Sequence, residues 1–201
     1  MTLKINLNDP HPPRRFLELV GRLDHADHGT RFDAIRGLYL LARSGVVAKD
    51  RVVEALSSRV DSPATALLAT TALANLDTVT WLPRLQGVLL DALRNPGSLP
   101  YLGWSVDWAA RTLAKNAEPE VIASLRATAS AALRDGNVDA LDFAAATLGG
   151  CLGAGDVESI RPLEALLTDS REPFRLAAET ALRRAATPAA AAAIDRRHRA
   201  R

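Results

Sequence analysis

The chain has 201 residues with 25 basic and 23 acidic side chains, enough for one domain or a short repeat array close to charge balance. Alanine (37) and leucine (31) supply a third of it against 17 valines and isoleucines, so helix formers crowd out β-branched strand formers and an all-α fold is predicted. The single Cys151 excludes a disulfide framework and any cysteine-based zinc site, no apolar run approaches membrane-spanning length, and Met1 to Pro10 has no secretory signal, so a cytoplasmic protein is expected.

Caps and periodicity divide the chain into about eleven helices after an extended arm at 1–12. Pro13 opens the first. Thr30 is placed to cap the second, which stops at Ser44-Gly45, and Asp50 to Val60 carries the third. Ser62-Pro63 reads as an N-cap with proline at the first helical position, leading a helix to Leu76. Trp81 to Arg94 follows, stopped by Asn95-Pro96-Gly97, and then a helix within 98–117. Glu118-Pro119 starts the seventh, Asp135-Gly136 ends it, and Asn137 caps the eighth. Asp156 to Thr168, Arg171 to Ala186 and Pro188 to Ala200 complete the order, the last behind a Thr187-Pro188 cap.

Helices this short need a neighbour to cover an apolar face, so repetition is the next question. A pair of small or apolar residues followed by leucine recurs: Ala34-Ile35 then Leu38, Leu68-Ala69 then Leu73, Ala109-Ala110 then Leu113, Ala144-Ala145 then Leu148, and Ala177-Ala178 then Leu182. The copies start 34, 41, 35 and 33 residues apart, the spacing of a stacked helix pair. The clearest copy runs Leu163-Glu164-Ala165-Leu166-Leu167-Thr168-Asp169, then Pro173-Phe174-Arg175-Leu176-Ala177-Ala178-Glu179-Thr180-Ala181-Leu182. It resembles a HEAT repeat, with Asp169 and Arg175 at the positions of that family's turn aspartate and second-helix arginine. Asp61 stands at a comparable turn with no arginine following where one is expected. The resemblance implies a right-handed α-solenoid of about five HEAT-like helix pairs over residues 13–186. Its first helices lie outside, its second helices line a concave face, and residues 187–201 form a basic capping helix.

A scaffold of that kind is expected to bind a protein or peptide without catalysis and without a cofactor. Tyr101, Trp104, Trp108, Arg111 and Lys115 recur at steps of 3, 4, 3 and 4, one helical face with the aromatic and cationic composition of an interface hot spot. Arg175 is added as a charge complement. The alternative for the rings is packing beneath the Pro-rich insertion at 95–100. Trp104 and Asp107 also resemble the tryptophan and catalytic aspartate of HEAT-like alkylpurine DNA glycosylases, which makes a nucleic-acid-binding protein with Asp107 as catalytic residue the alternative function. His25, Asp27 and His28 are the alternative metal donors, against a polar loop with incidental histidines. Six arginines against one acid in residues 183–201 make the tail basic, suited to capping the last repeat or meeting an acidic partner.

Overall fold

The computed structural model describes residues 12–95, 103–135 and 138–199. Among them the chain is all helical, with eleven α-helices, one 3-10 turn and no strand. Most of the expected arm, together with Tyr101, Asn137 and the 96–100 stretch, lies outside the described residues. Two compact units, Met1–Leu85 and Gln86–Arg201, divide the chain.

The first unit contains α1 (Pro12–Gly21), α2 (His28–Arg43), α3 (Lys49–Ser57) and α4 (Ala66–Leu76), and the start of α5 (Thr78–Arg94). α1 packs on α2, α2 on α3 and α4, and α3 on α4. Leu19, Leu23, Ile35, Leu38, Leu56, Leu68 and Leu73 form a fully buried aliphatic core, and every residue from Ala66 to Ala74 is buried. Asp27, not Thr30, caps α2: its extended backbone aims the carboxylate at the Thr30 N–H (2.6 Å) and hydroxyl (2.8 Å). Ser62-Pro63 does not begin a helix either. The Ser62 carbonyl accepts from Thr65 N and Ala66 N, the Thr65 hydroxyl donates to the Arg59 carbonyl at 2.8 Å, and α4 starts after that turn. α5 begins three residues before Trp81 because the Asp77 carboxylate accepts from Thr80 N.

The second unit holds the end of α5, then α6 (Gly103–Asn116), α7 (Pro119–Arg134), α8 (Val138–Gly153), a 3-10 turn (Val157–Ser159), α9 (Ile160–Leu167), α10 (Glu172–Ala185) and α11 (Pro188–Arg199). α8 is its centre, in contact with α6, α7, α9 and α10. The composition of α8 explains how one helix has four neighbours. Apart from the exposed Asp142, its residues from Ala140 to Leu152 are buried, and most are alanine, glycine, threonine or cysteine. A Cβ on Gly149 would stand 2.8 Å from the Ala181 carbonyl oxygen, and one on Gly150 would stand 2.7 Å from both the Ala110 methyl and the Asp107 carbonyl oxygen. The absent side chains therefore set the approach of α10 and α6. Cys151 belongs to the same packed centre. Burial pushes its thiol up to about 12, so it stays protonated and acts as a small hydrophobe.

α11 covers α9 and α10 through alanine contacts and ion pairs. Arg196 reaches Glu164, and Glu179 receives both Arg197 and Arg183. Three arginines of the basic C-terminal stretch are thus held by carboxylates of α9 and α10. The cap foreseen at Thr187 forms, its hydroxyl accepting from Ala190 N at 3.2 Å.

Candidate functional site

α6 and α10 both pack on α8, and the three helices together wall a groove of about 530 Å³. Gly103 lies at the start of α6, Leu141 and Asp142 come from α8, and Leu176, Thr180 and Arg184 come from α10. Leu176 leaves 62% of its surface exposed although it belongs to a helix whose other leucine is fully buried. Asp142 and Arg184, both exposed, add one charge of each sign to a lining that is otherwise apolar apart from Thr180. The Arg184 guanidinium runs over Gly103 so closely that a Cβ there would meet Nη1 at 2.1 Å.

One end of this layer is fastened by Arg111. Its guanidinium grips Asp107 at 2.8 and 3.2 Å, then reaches the Gly153 carbonyl at the end of α8 and the Arg184 carbonyl at the end of α10. Carbonyls at a helix C-terminus have no intrahelical donor, and a cation there also matches the helix dipole. Arg111 therefore ties three helices together, and Asp107 holds it in place, with side-chain exposures of 26% and 16%.

The residues singled out in the sequence divide accordingly. Trp104, Trp108, Arg111 and Lys115 all lie on α6; Trp104 and Trp108 are half-buried and Lys115 is exposed. Neither tryptophan lines the groove. Arg175 is turned to its own chain, with Nη1 donating to the Asp169 and Ser170 carbonyls, each at 2.7 Å. Asp169 binds Arg171 through the N–H (2.8 Å) and the guanidinium (3.0 Å). These bonds to Arg171 hold the Asp169 carboxyl down at about 2. Sequence reasoning missed Leu176, Asp142, Thr180 and Arg184 as a group. The signal available was Leu176 itself, an aliphatic residue off the Ala177-Ala178-Leu182 core stripe of its helix.

The imidazole and carboxylate groups near α2 are used locally. His25 Nδ1 accepts from Asp27 N at 3.0 Å, Asp27 caps α2, and His28 Nδ1 lies 3.3 Å from Arg31 Nη2. Burial and the neighbouring Arg31 cation lower the His28 pKa, favouring the neutral ring. Among the described residues no three His, Cys, Asp or Glu side chains are grouped to hold a metal ion.

Arg31 repeats the Arg175 arrangement. Its Nη1 donates to the His25 and Ala26 carbonyls at 2.6 and 2.7 Å, again six and five residues earlier. Buried leucines stand twelve and eight residues before each arginine, Leu19 and Leu23 in one case and Leu163 and Leu167 in the other. The fold and the site thus define an all-α protein in which the turns from α1 to α2 and from α9 to α10 share one locking device. Comparison with protein-family models, curated proteins and solved structures finds no match to the chain. Among the described residues no helix is long and apolar enough to cross a membrane.

Proposed function

We propose that the chain is a HEAT-like, right-handed α-solenoid of about five helix pairs that acts as a non-catalytic scaffold, binding a protein or peptide segment along the face of α6, α8 and α10. The observation that carries this reading is the groove across three consecutive second helices, with Leu176 exposed in its wall between Asp142 and Arg184. An apolar side chain of the partner covers Leu176, and polar groups of the partner meet Asp142, Thr180 and Arg184. Covering an exposed leucine contributes roughly 1.5–3 kcal/mol, which makes Leu176 the expected energetic centre. Trp104, Trp108 and Lys115 extend the binding face along α6, with Tyr101 in the lead-in to that helix. Arg111 and Arg175 serve it indirectly, by holding the helices that form it.

The nucleic-acid alternative draws on the basic stretch after residue 182. Arg183, Arg196 and Arg197 are paired there with Glu179 and Glu164, and Asp107 is engaged by Arg111, so the observations favour the protein-binding reading.

A photo-crosslinking phenylalanine analogue placed at position 176 tests the proposal, with the same analogue at position 79, which is 89% exposed in α5, as comparison. In the native cytosol position 176 should capture a discrete, nuclease-resistant protein that position 79 does not. Arg184→Glu, outside the core, should remove that product while the helical circular dichroism is kept. Equal labelling from both positions, or nucleic acid as the captured species, sinks the reading.

A further inference from the structure

A second surface, on the first helices of the same unit, has a different chemistry. α7 and α9 are separated by a furrow made of two adjoining cavities of about 520 and 380 Å³, which share Ser130, Arg134, Arg161 and Pro162. The α7 side is open because Ala123, Ala127 and Ser130, at steps of 4 and 3, present only small side chains. Leu133, Pro162 and Leu166 give it an apolar floor. Arginines stand along it: Arg126, Arg134, Arg161 and Arg171. Two of these are held firmly, Arg126 by Asp156 at 2.6 Å and Arg171 by Asp169. The other two stand open to solvent, one of them in a surface ion pair. Arg134 is exposed and makes no ion pair among the described residues, and Arg161 is 77% exposed with Glu158 at 3.3 Å.

We infer that this furrow binds an acidic, amphipathic peptide segment of a partner protein, distinct from whatever occupies the groove of α6, α8 and α10. Arg134 and Arg161 reach it from opposite walls, α7 and α9, so carboxylates on two flanks of one segment can each meet a guanidinium fork. The apolar floor between them takes the leucines or phenylalanines of the segment. From Ala123 to Arg134 the wall runs about 16 Å, by the helical rise of 1.5 Å per residue, or three turns of a bound helix. A polynucleotide fits less well. Among the described residues no aromatic side chain lines the furrow for base stacking, and Glu158 and Asp169 interrupt the cations that a continuous row of phosphates requires.

The test uses the full chain and a fluorescein-labelled peptide of fifteen residues, with leucines at helical spacing and glutamates elsewhere, followed by fluorescence anisotropy. Arg134→Glu with Arg161→Glu should weaken binding at least tenfold and raise affinity for the matching lysine peptide, and Arg199→Glu, an exposed change on α11, should leave it within twofold. If the charge reversal unfolds the protein, Arg134→Gln with Arg161→Gln is expected to lose severalfold with helicity intact. The inference is overturned if wild type does not bind the glutamate peptide, or if Arg199→Glu weakens it as much as the furrow pair does. It is equally overturned if a single-stranded oligonucleotide of the same length binds more tightly and loses that binding in the furrow variants.

Discussion

Arg31 and Arg175 make the same pair of bonds at opposite ends of the described chain. Each guanidinium turns back from the first turn of its helix, α2 or α10, to the carbonyls six and five residues earlier, closing the bend that follows α1 or α9. These carbonyls lie beyond the preceding helix, where no ladder partner exists for them. Arg31→Met, which keeps the apolar stem and removes the donors, should lower stability by roughly 2 kcal/mol, the worth of hydrogen bonds to a charged donor in a buried setting. Arg175, half-buried, should lose less on the same change. Urea unfolding of both variants beside wild type measures the two values, and equal costs would contradict the burial argument.

Close helix approach predicts opposite signs for two glycine-to-alanine changes. Gly150→Ala puts a methyl 2.7 Å from the Ala110 methyl and the Asp107 carbonyl, neither of which can swing aside, and should cost roughly 1–3 kcal/mol. Gly87→Ala in α5 meets nothing within 4 Å and should stabilise by about 0.5–1 kcal/mol through helix propensity. Thermal midpoints moving the same way for both would refute the packing account of α8.

Glu179 joins α10 to α11 by accepting Arg197, while Arg183 of its own helix also reaches it, and its side chain and that of Arg197 are only 13% and 11% exposed. Glu179→Gln leaves the Arg197 charge largely buried without its counter-ion, at a cost of roughly 3 kcal/mol. The effect should be local. Hydrogen exchange is expected to accelerate across α11 with α7 and α8 still protected, and uniform exchange across the second unit would show that α11 is not an independently opening cap.

Acid should reveal the Asp169 turn. Its folded carboxyl titrates at about 2 against an ordinary value of 3.8, so the unfolded chain takes up the proton first. The stabilisation is complete above pH 4 or so and is lost as the pH falls towards 2. Wild type should therefore melt above Asp169→Asn at pH 6, and the two midpoints should converge near pH 2. A gap that persists unchanged at pH 2 would mean that the carboxylate contributes nothing through its charge.

The helices and most of their boundaries were legible in the sequence because they follow from local chemistry. Alanine and leucine at helical steps, Glu118-Pro119, Thr187-Pro188 and Ser44-Gly45 act within a turn or two of backbone, and the structure uses each of them near the expected position. Where several capping residues stood close together, the sequence could not rank them. Asp27 and Thr30 compete for one helix start, and the carboxylate that accepts two bonds from Thr30 takes the cap.

The role of each arginine was decided by tertiary structure alone. Arg111 and Lys115 have the same spacing on α6, yet one meets the carbonyl ends of two other helices and the other faces solvent. Nothing local to residue 111 encodes Gly153 or Arg184, which arrive from helices far along the chain. The same holds for the groove, since the exposure of Leu176 depends on α8 standing close enough to α10 to bury Ala181 but not Leu176. Periodicity marks which side chains can share a face of one helix, and only the packing of several helices determines which of those faces remain open to a partner.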